Sequence, residues 1–425
     1  MTMFGLKEAE VATLVRAVAG QDLEHDSIRE RFARATWTGI AEPGDGIAGL
    51  VVEALGAAES LDAVVANWSA PQWVAAIRHT GVDDVTEDEL HQAIERWQPR
   101  LKSATALLAL RQAARYGARL LTPDAPGWPE GVADLGRHAP IALWFRGTDV
   151  ALAALHCSIA LVGARAATGY GEHVAMEASA GLVDRGYAIV SGAAYGIDGM
   201  AHRAALASKG NTIAFLAGGV DRFYPSGHDA LLNRIVDVGA VISELPCGSP
   251  PTKWRFLQRN RLIAAASQAT VVLEAGWRSG SLNTAAHAAE LGRPVGAVPG
   301  PVTSAASAGC HRLIRSFNAI LVTTPDEMAE LTPGVSLQPA SAPSTRGTPA
   351  TSARRLTPEQ TRVLDAMSFA APRTSTDIAA RSGMSVATVQ SVLGPLELEE
   401  MVVERDRGWL RKKAQDQTTP KPRTR

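Results

Sequence analysis

The chain has 425 residues, 46% of them hydrophobic, with 42 Lys and Arg against 43 Asp and Glu and only three cysteines. That length is too great for one ordinary core and calls for about two to four domains. The scattered cysteines, Cys157, Cys247 and Cys310, exclude a disulfide framework and a paired metal-ligand spacing. No stretch approaches the roughly eighteen uninterrupted apolar residues of a membrane helix, and the start, Met1-Thr-Met-Phe-Gly, has no basic segment leading into an apolar run, so a cytoplasmic protein is expected. The near-zero charge divides unevenly: residues 1–150 carry 14 basic and 21 acidic side chains, 158–331 carry 14 and 13, and 354–425 carry 13 and 9. An acidic start joined to a basic end leaves room for a polyanion-binding face that the total conceals.

Residues 1–115 are expected to form a helical N-terminal domain. Glu8-Ala-Glu-Val-Ala-Thr-Leu-Val-Arg-Ala-Val repeats its apolar positions at helical spacing, and Glu87-Asp-Glu-Leu-His-Gln-Ala-Ile-Glu-Arg-Trp97 does the same. Trp37, Trp68, Trp73 and Trp97 lie on such amphipathic stretches and read as core. Residues 116–331 form the second unit. Two short strands near 117–124 and 140–147 lead into it, and from Ser158 to Leu331 one pattern repeats: a short apolar run, a loop with glycine, then an amphipathic helix. Strands are expected near 158–163, 187–191, 212–217, 240–243, 270–275, 294–298 and 319–322, which makes a parallel α/β sheet. Residues 332–355, rich in Pro, Ser, Thr, Ala and Gly, read as a flexible linker that leaves the C-terminal segment free to move. Three helices, the second and third joined at Gly383, and a hairpin over Met401–Arg411 make residues 356–413 a winged helix-turn-helix. Its recognition helix offers Ser385, Thr388, Gln390 and Ser391 but no Arg or Lys, which weakens the case for direct DNA reading. Residues 414–425 read as a basic disordered tail.

The loops of the sheet gather at one edge, where open α/β sheets bind ligands. Gly163 and Arg165 stand at the end of the first parallel strand, where a guanidinium and helix N-terminal amides can face one anion. Ser191-Gly192 and Ser279-Gly280 are further small-residue loops suited to a phosphate or nucleic acid backbone. The densest signal is Lys253-Trp-Arg-Phe-Leu-Gln-Arg-Asn-Arg-Leu-Ile263. Lys253, Arg255, Arg259 and Arg261 are interleaved with Trp254 and Phe256, a pattern suited to a sequence-tolerant single-strand site. The competing reading is that Phe256 and Ile263 are core and some arginines form salt bridges. Asp198 and His202, four apart at a helix start, are expected to hydrogen-bond each other structurally. No Gly-x-x-x-x-Gly-Lys-[Ser/Thr] element is present and no Gly-x-Gly-x-x-Gly fingerprint supports a dinucleotide cofactor, so neither a P-loop nor such a cofactor is expected, and no cofactor or metal is assigned.

In order along the chain, Gly163-Ala-Arg165, Ser191-Gly-Ala-Ala-Tyr-Gly-Ile-Asp198, Gly219-Val-Asp-Arg-Phe-Tyr-Pro225, Ile242-Ser-Glu244, Phe256-Leu-Gln-Arg-Asn-Arg261, Ser279-Gly-Ser-Leu-Asn-Thr-Ala285, Val298-Pro-Gly300 and Gly309-Cys-His-Arg-Leu-Ile314 resemble the DNA-processing protein A family (DprA, also called Smf). The resemblance implies an extended Rossmann-like parallel sheet domain with an N-terminal helical domain and a C-terminal winged-helix domain. It implies a homodimer that binds single-stranded DNA and loads RecA recombinase in transformation or recombination; the sequence, with no P-loop, no metal-ligand cluster and no glutamate in the Ser279-Gly-Ser-Leu loop, adds the expectation that nucleotides are not turned over. Arg165 matches the family arginine in Gly-Ser/Thr-Arg, and Arg259-Asn260-Arg261 matches its Arg-Asn-Arg element beside the DNA groove. Tyr195 replaces a lysine found in many members, which removes a charge but offers a stacking surface; His311 replaces a frequent Asn. Two alternatives remain open. One is a nucleoside-monophosphate phosphoribohydrolase-like enzyme, although Glu274-Ala-Gly-Trp-Arg-Ser-Gly-Ser-Leu lacks the glutamate at the catalytic place. The other is a winged-helix regulator with a ligand-sensing α/β domain.

Overall fold

The structure is a computed structural model that describes residues 2–83, 85–332, 357–398, 401–405 and 407–412. Nearly all of the expected linker, 332–355, and the expected tail, 414–425, lie outside the described residues.

The N-terminal region is helical. Seven α-helices run from Glu8–Ala19 to Ser103–Tyr116. The Glu87–Trp97 helix starts where the sequence signals it, because Thr86 and Glu89 satisfy each other's backbone N–H groups in a capping box. Trp37, Trp73 and Trp97 are buried and meet edge to face, with Trp97 5.0 Å from Trp37 and 6.4 Å from Trp73. The tryptophans are core, as their helical spacing implied.

Nine strands form the central sheet: β1 (Arg119–Leu121), β2 (Leu143–Gly147), β3 (Ser158–Gly163), β4 (Ala188–Ser191), β5 (Thr212–Phe215), β6 (Ala240–Ser243), β7 (Ala269–Glu274), β8 (Val295–Ala297) and β9 (Ile320–Leu321). Their order is β9-β8-β7-β3-β4-β5-β6-β2-β1; β3 to β9 are parallel, while β2 pairs antiparallel with both β6 and β1. The parallel strands β3 to β8 are buried on both faces, which explains why they read as continuous apolar runs rather than alternating ones, while β9 at the sheet edge is exposed. The chain steps outward from β3 through β4 and β5 to β6, then returns to the other side of β3 as β7. Beyond the carboxyl ends of β3 and β7, their loops diverge and leave the crevice that open α/β sheets use for ligands.

One apolar cluster joins the helical region to the sheet. It includes Val51, Trp73 and Leu90 together with Trp144, Leu216, Ile235, Val241 and Cys247, and the Trp144 indole N–H donates to Thr38 Oγ1 at 3.1 Å. The helices of residues 1–115 therefore have no core of their own separate from the sheet.

The winged helix has its own core around Leu364, Ile378, Val389 and Leu396. Helices Pro358–Ala366, Ser375–Ser382 and Val386–Leu398 precede a wing of two antiparallel strands, β10 (Val402–Arg405) and β11 (Gly408–Arg411). Contrary to the expectation of free movement, the module is docked. Buried Glu42 accepts hydrogen bonds from Arg255 Nε at 3.0 Å and Nη2 at 2.6 Å, and also from Arg100. Arg100 Nε in turn donates to the Ala380 carbonyl at 2.6 Å, and Trp254 N donates to Asp365 Oδ2 at 3.3 Å. Glu42 and Arg100 from the N-terminal region and Arg255 from the sheet domain form a buried ion cluster, and the winged helix closes on it through the Ala380 carbonyl and Asp365, which the composition of the connecting segment does not reveal. Gly383 sits in the helix-turn-helix bend at φ +68°, where a Cβ would also lie 2.1 Å from Glu42 Cγ. Ser385 and Thr388, at the start of the recognition helix, share a cleft with Glu42, Asp45 and Glu95. Arg96 and Arg362 line the same cleft and Asp45 is paired with Arg96, so the end that would enter a DNA groove faces a mixed-charge seam of the protein itself.

Candidate nucleic-acid interface

The crevice loops are tied down from below. Glu274, at the end of β7 and 2% exposed, accepts from Thr168 N at 2.9 Å and Thr168 Oγ1 at 2.6 Å, while its own carbonyl accepts from Ala164 N at 2.7 Å. Thr168 then caps the Gly169–Asp184 helix through Gly171 N. Gly163 must lack a side chain here, since a Cβ would meet Ile197 Cγ1 at 2.5 Å and the Glu274 carbonyl at 2.8 Å. Arg165 projects from this anchored loop into solvent.

The loop after β4 is fixed by Asp198, whose Oδ2 accepts from Gly192 N at 3.1 Å and Ala194 N at 3.4 Å. The expected Asp198–His202 hydrogen bond is absent: His202 Nδ1 pairs with Thr212 Oγ1 at 2.7 Å. Burial, with the nearby charges of His228 and Arg259, pushes His202 down to about 3, so it is neutral. The Asp198 carboxylate is spent on the loop amides instead, and Ser191, Gly192 and Asp198 are all buried. The Gly192 N–H is therefore not free for a ligand. Ser279 is half-buried and shares a hydrogen bond with Ser281 at 2.8 Å, whereas Gly280 is exposed.

The Lys253–Ala266 helix divides its charges. Lys253 is exposed, but Arg255, Arg259, Asn260 and Arg261 are buried. Arg255 is committed to Glu42. Arg259 Nη1 donates to the Gly192 carbonyl at 2.6 Å and the Phe215 carbonyl at 2.5 Å. Burial pushes Arg259 down to about 10, opposed by the charge of Asp198, so it stays protonated at neutral pH. Arg261 forms a bidentate pair with Glu244 at 2.7 and 2.8 Å. Asn260 donates to Asn283 Oδ1 at 3.2 Å. These side chains have intramolecular partners, so the salt-bridge reading holds for Arg255 and Arg261, and Arg259 and Asn260 link the helix to the loops after β4 and β7.

What reaches the surface is a different set. Arg165 lies over the Phe256 ring, with its guanidinium carbon 4.9 Å from the centroid, and buried Arg259 approaches the same ring at 5.7 Å. Tyr224, 51% exposed, has its ring 5.5 Å from Phe256. Tyr195, 49% exposed, leans on His228 at 4.8 Å. Thus the loops after β3 and β5 and the helix after β6 bring one guanidinium and two aromatic rings together, and the loop after β4 adds exposed Tyr195 at the same carboxyl edge of the sheet. Two exposed phenols and a half-buried ring under a guanidinium can stack on bases of any sequence while the charge meets a phosphate. Tyr224 was not among the expected site residues, although it stands in Gly219-Val-Asp-Arg-Phe-Tyr-Pro225; only the fold shows that this loop returns to Phe256. Among the described residues, no group of three or more His, Cys, Asp or Glu side chains is placed to hold a metal ion, and no helix is long and apolar enough to cross a membrane.

Residues 119–333 match the family described as DNA recombination-mediator protein A, and residues 347–406 match the DprA winged helix domain. A protein of Mycobacterium tuberculosis carrying the DprA name is 46% identical over 69% of this chain and 77% of its own length. Protein Smf of Escherichia coli is 38% identical over 61% of this chain and 68% of its own. The X-ray structure of DNA processing protein A from Streptococcus pneumoniae superposes with a TM-score of 0.54 at 28% identity, covering 70% of this chain and 96% of that one.

Proposed function

Because the chain belongs to the DprA/Smf family of DNA-processing proteins, we propose that it binds single-stranded DNA across Arg165, Tyr195, Tyr224 and Phe256 and passes the strand to RecA recombinase during transformation or recombination. The observation that carries this reading is the convergence of exposed rings and a guanidinium at the sheet's carboxyl edge. A duplex hides its base faces and would leave those rings unused. Lys253 and Gly280 are exposed and in this reading extend the surface for a backbone. Gly163, Ser191, Gly192, Ser279, Arg255, Arg259, Asn260 and Arg261 support it as the frame that fixes the loops.

The protein acts in this reading as a homodimer. Support comes from the sheet edge at β9, where Ile320 and Leu321 are 42% and 50% exposed beside Phe317, and Arg312 stacks between the rings of Phe317 and exposed Trp277. Binding proceeds in this reading without turnover of nucleotides, which is supported by the commitment of Glu274 to Thr168 and of Asp198 to the Gly192 and Ala194 amides.

The test is fluorescence anisotropy with oligo-dT and a duplex of equal length. Oligo-dT should bind about tenfold or more tightly, a difference of about 1.4 kcal/mol. Arg165→Ala and Tyr224→Ala should each weaken it by about 1–3 kcal/mol. Equal affinity for both nucleic acids, or normal binding by both variants, would refute the reading. Stimulated strand exchange by RecA on strands coated with single-strand binding protein tests the delivery step.

A further inference from the structure

A second cationic surface begins where the platform ends. A cleft of about 400 Å³ opens at the seam between the N-terminal helices, the loop after β6 and the winged helix, and Lys102, Arg222, Arg255, Arg373 and Arg381 line it against a single carboxylate, Asp365. Glu42 neutralises Arg255, and Asp377 lies against Arg381 at 2.9 Å and Arg373 at 3.7 Å. Lys102 and Arg222 are exposed and have no carboxylate partner among the described residues. A cation held without a counter-charge at a concave seam is a standing site for an anion, because filling it costs no broken ion pair.

The cleft is joined to the platform by chain connectivity at two points. Arg222 is two residues from Tyr224 on one loop, and Arg255 is next to Phe256 on one helix; Tyr224 and Phe256 face each other at 5.5 Å. A strand whose bases stack on those rings has its backbone directed either back over the sheet or past Arg222 into the seam, and the charge favours the seam. We infer that the cleft between the N-terminal helices and the docked winged helix binds the phosphodiester backbone of the same single strand beyond its stacked segment. The winged helix then serves the strand through Arg373 and Arg381 on its flank, while the start of its recognition helix stays turned to the seam beside Glu42 and Asp45. This inference rests on the platform reading and extends it from a short site to a longer one.

The experiment compares labelled oligo-dT of 6 and 30 nucleotides on the full chain. Lys102→Glu, Arg222→Glu and Arg381→Glu combined should weaken the 30-mer by about tenfold or more and flatten its salt dependence, while the 6-mer binds as before and the melting temperature is kept. Lys102→Gln with Arg222→Gln gives the same pattern in milder form should the triple reversal not fold. Equal loss on both lengths, or no loss on the 30-mer, overturns the cleft. Loss confined to a duplex hairpin reassigns it to double-stranded DNA and overturns it too. If Arg165→Ala and Tyr224→Ala weaken both lengths while the cleft variants weaken neither, only the cleft fails; if neither set matters, the platform has failed as well.

Discussion

Replacing Glu42 with Gln should release the winged helix. The carboxylate is buried between Arg255 and Arg100, whose side chains are themselves only 8% and 7% exposed. Removing its charge leaves two desolvated guanidinia with carbonyl partners alone: Pro250 for Arg255, Ala380 and Ile40 for Arg100. Breaking a buried pair on one side costs about 3–5 kcal/mol, which corresponds to a shift of roughly 10²- to 4 × 10³-fold in an equilibrium. Undocking lets water reach both arginines, so the seam is where the loss should appear rather than the core. Hydrogen exchange is the assay: the Trp254 amide, now held by the Asp365 carboxylate, and the amides around Gly383 should lose protection in Glu42→Gln. The charge also sets a pH window. Burial would raise the Glu42 carboxyl, but Arg100, Arg255 and Arg362 together hold it well below its ordinary 4.5. Its contribution is therefore complete above 4.5 and is lost as pH falls below that towards the folded value. Unchanged exchange at both segments, in the variant and in mild acid, would refute the electrostatic account of docking.

Arg259→Ala should lower stability by about 3–5 kcal/mol, a melting shift of about 10 °C or more by calorimetry, because the guanidinium bonds two carbonyls opposite buried Asp198. Gly383→Ala should loosen the winged helix as Glu42→Gln does, since its Cβ would collide with Glu42 and its φ is positive; protection at Trp254 reports it. His202 titrates at about 3 when folded and 6.5 when unfolded, so the unfolded chain takes up the proton first. Stability should fall as pH drops below 6.5 towards 3, and a His202→Gln variant should show a shallower slope in melting scans between pH 7 and 5.

The parallel strands β3 to β9 lie within two residues of where the apolar runs place them; for β3 to β8 the reason is that a strand buried on both faces leaves an uninterrupted signature. The arginine-rich helix stood out in the sequence, but its orientation did not. Interleaved Arg and aromatic residues fit a surface and an interior equally well until the partners are known. Glu42 is 213 positions from Arg255, and Gly192 is 67 from Arg259. Tyr224 was hidden for the same reason: its value lies in a ring contact with Phe256 that sequence distance does not encode. The docking of the winged helix was missed because a Pro- and Ser-rich connector speaks only of its own flexibility.

The cluster shared by the N-terminal helices and the sheet has a consequence for the order in which the chain matures. Trp73 and Leu90 leave the ribosome well before Val241 and Cys247, which complete the same cluster. At about 5–20 residues per second, the first helices wait on the order of ten seconds for their cover. During that interval their apolar faces are open to chaperones, or to other nascent chains on the same message. Arrested nascent chains of increasing length should become resistant to protease in the helical region only once residues near 247 have emerged. Resistance at residue 150 would show that these helices close without the sheet.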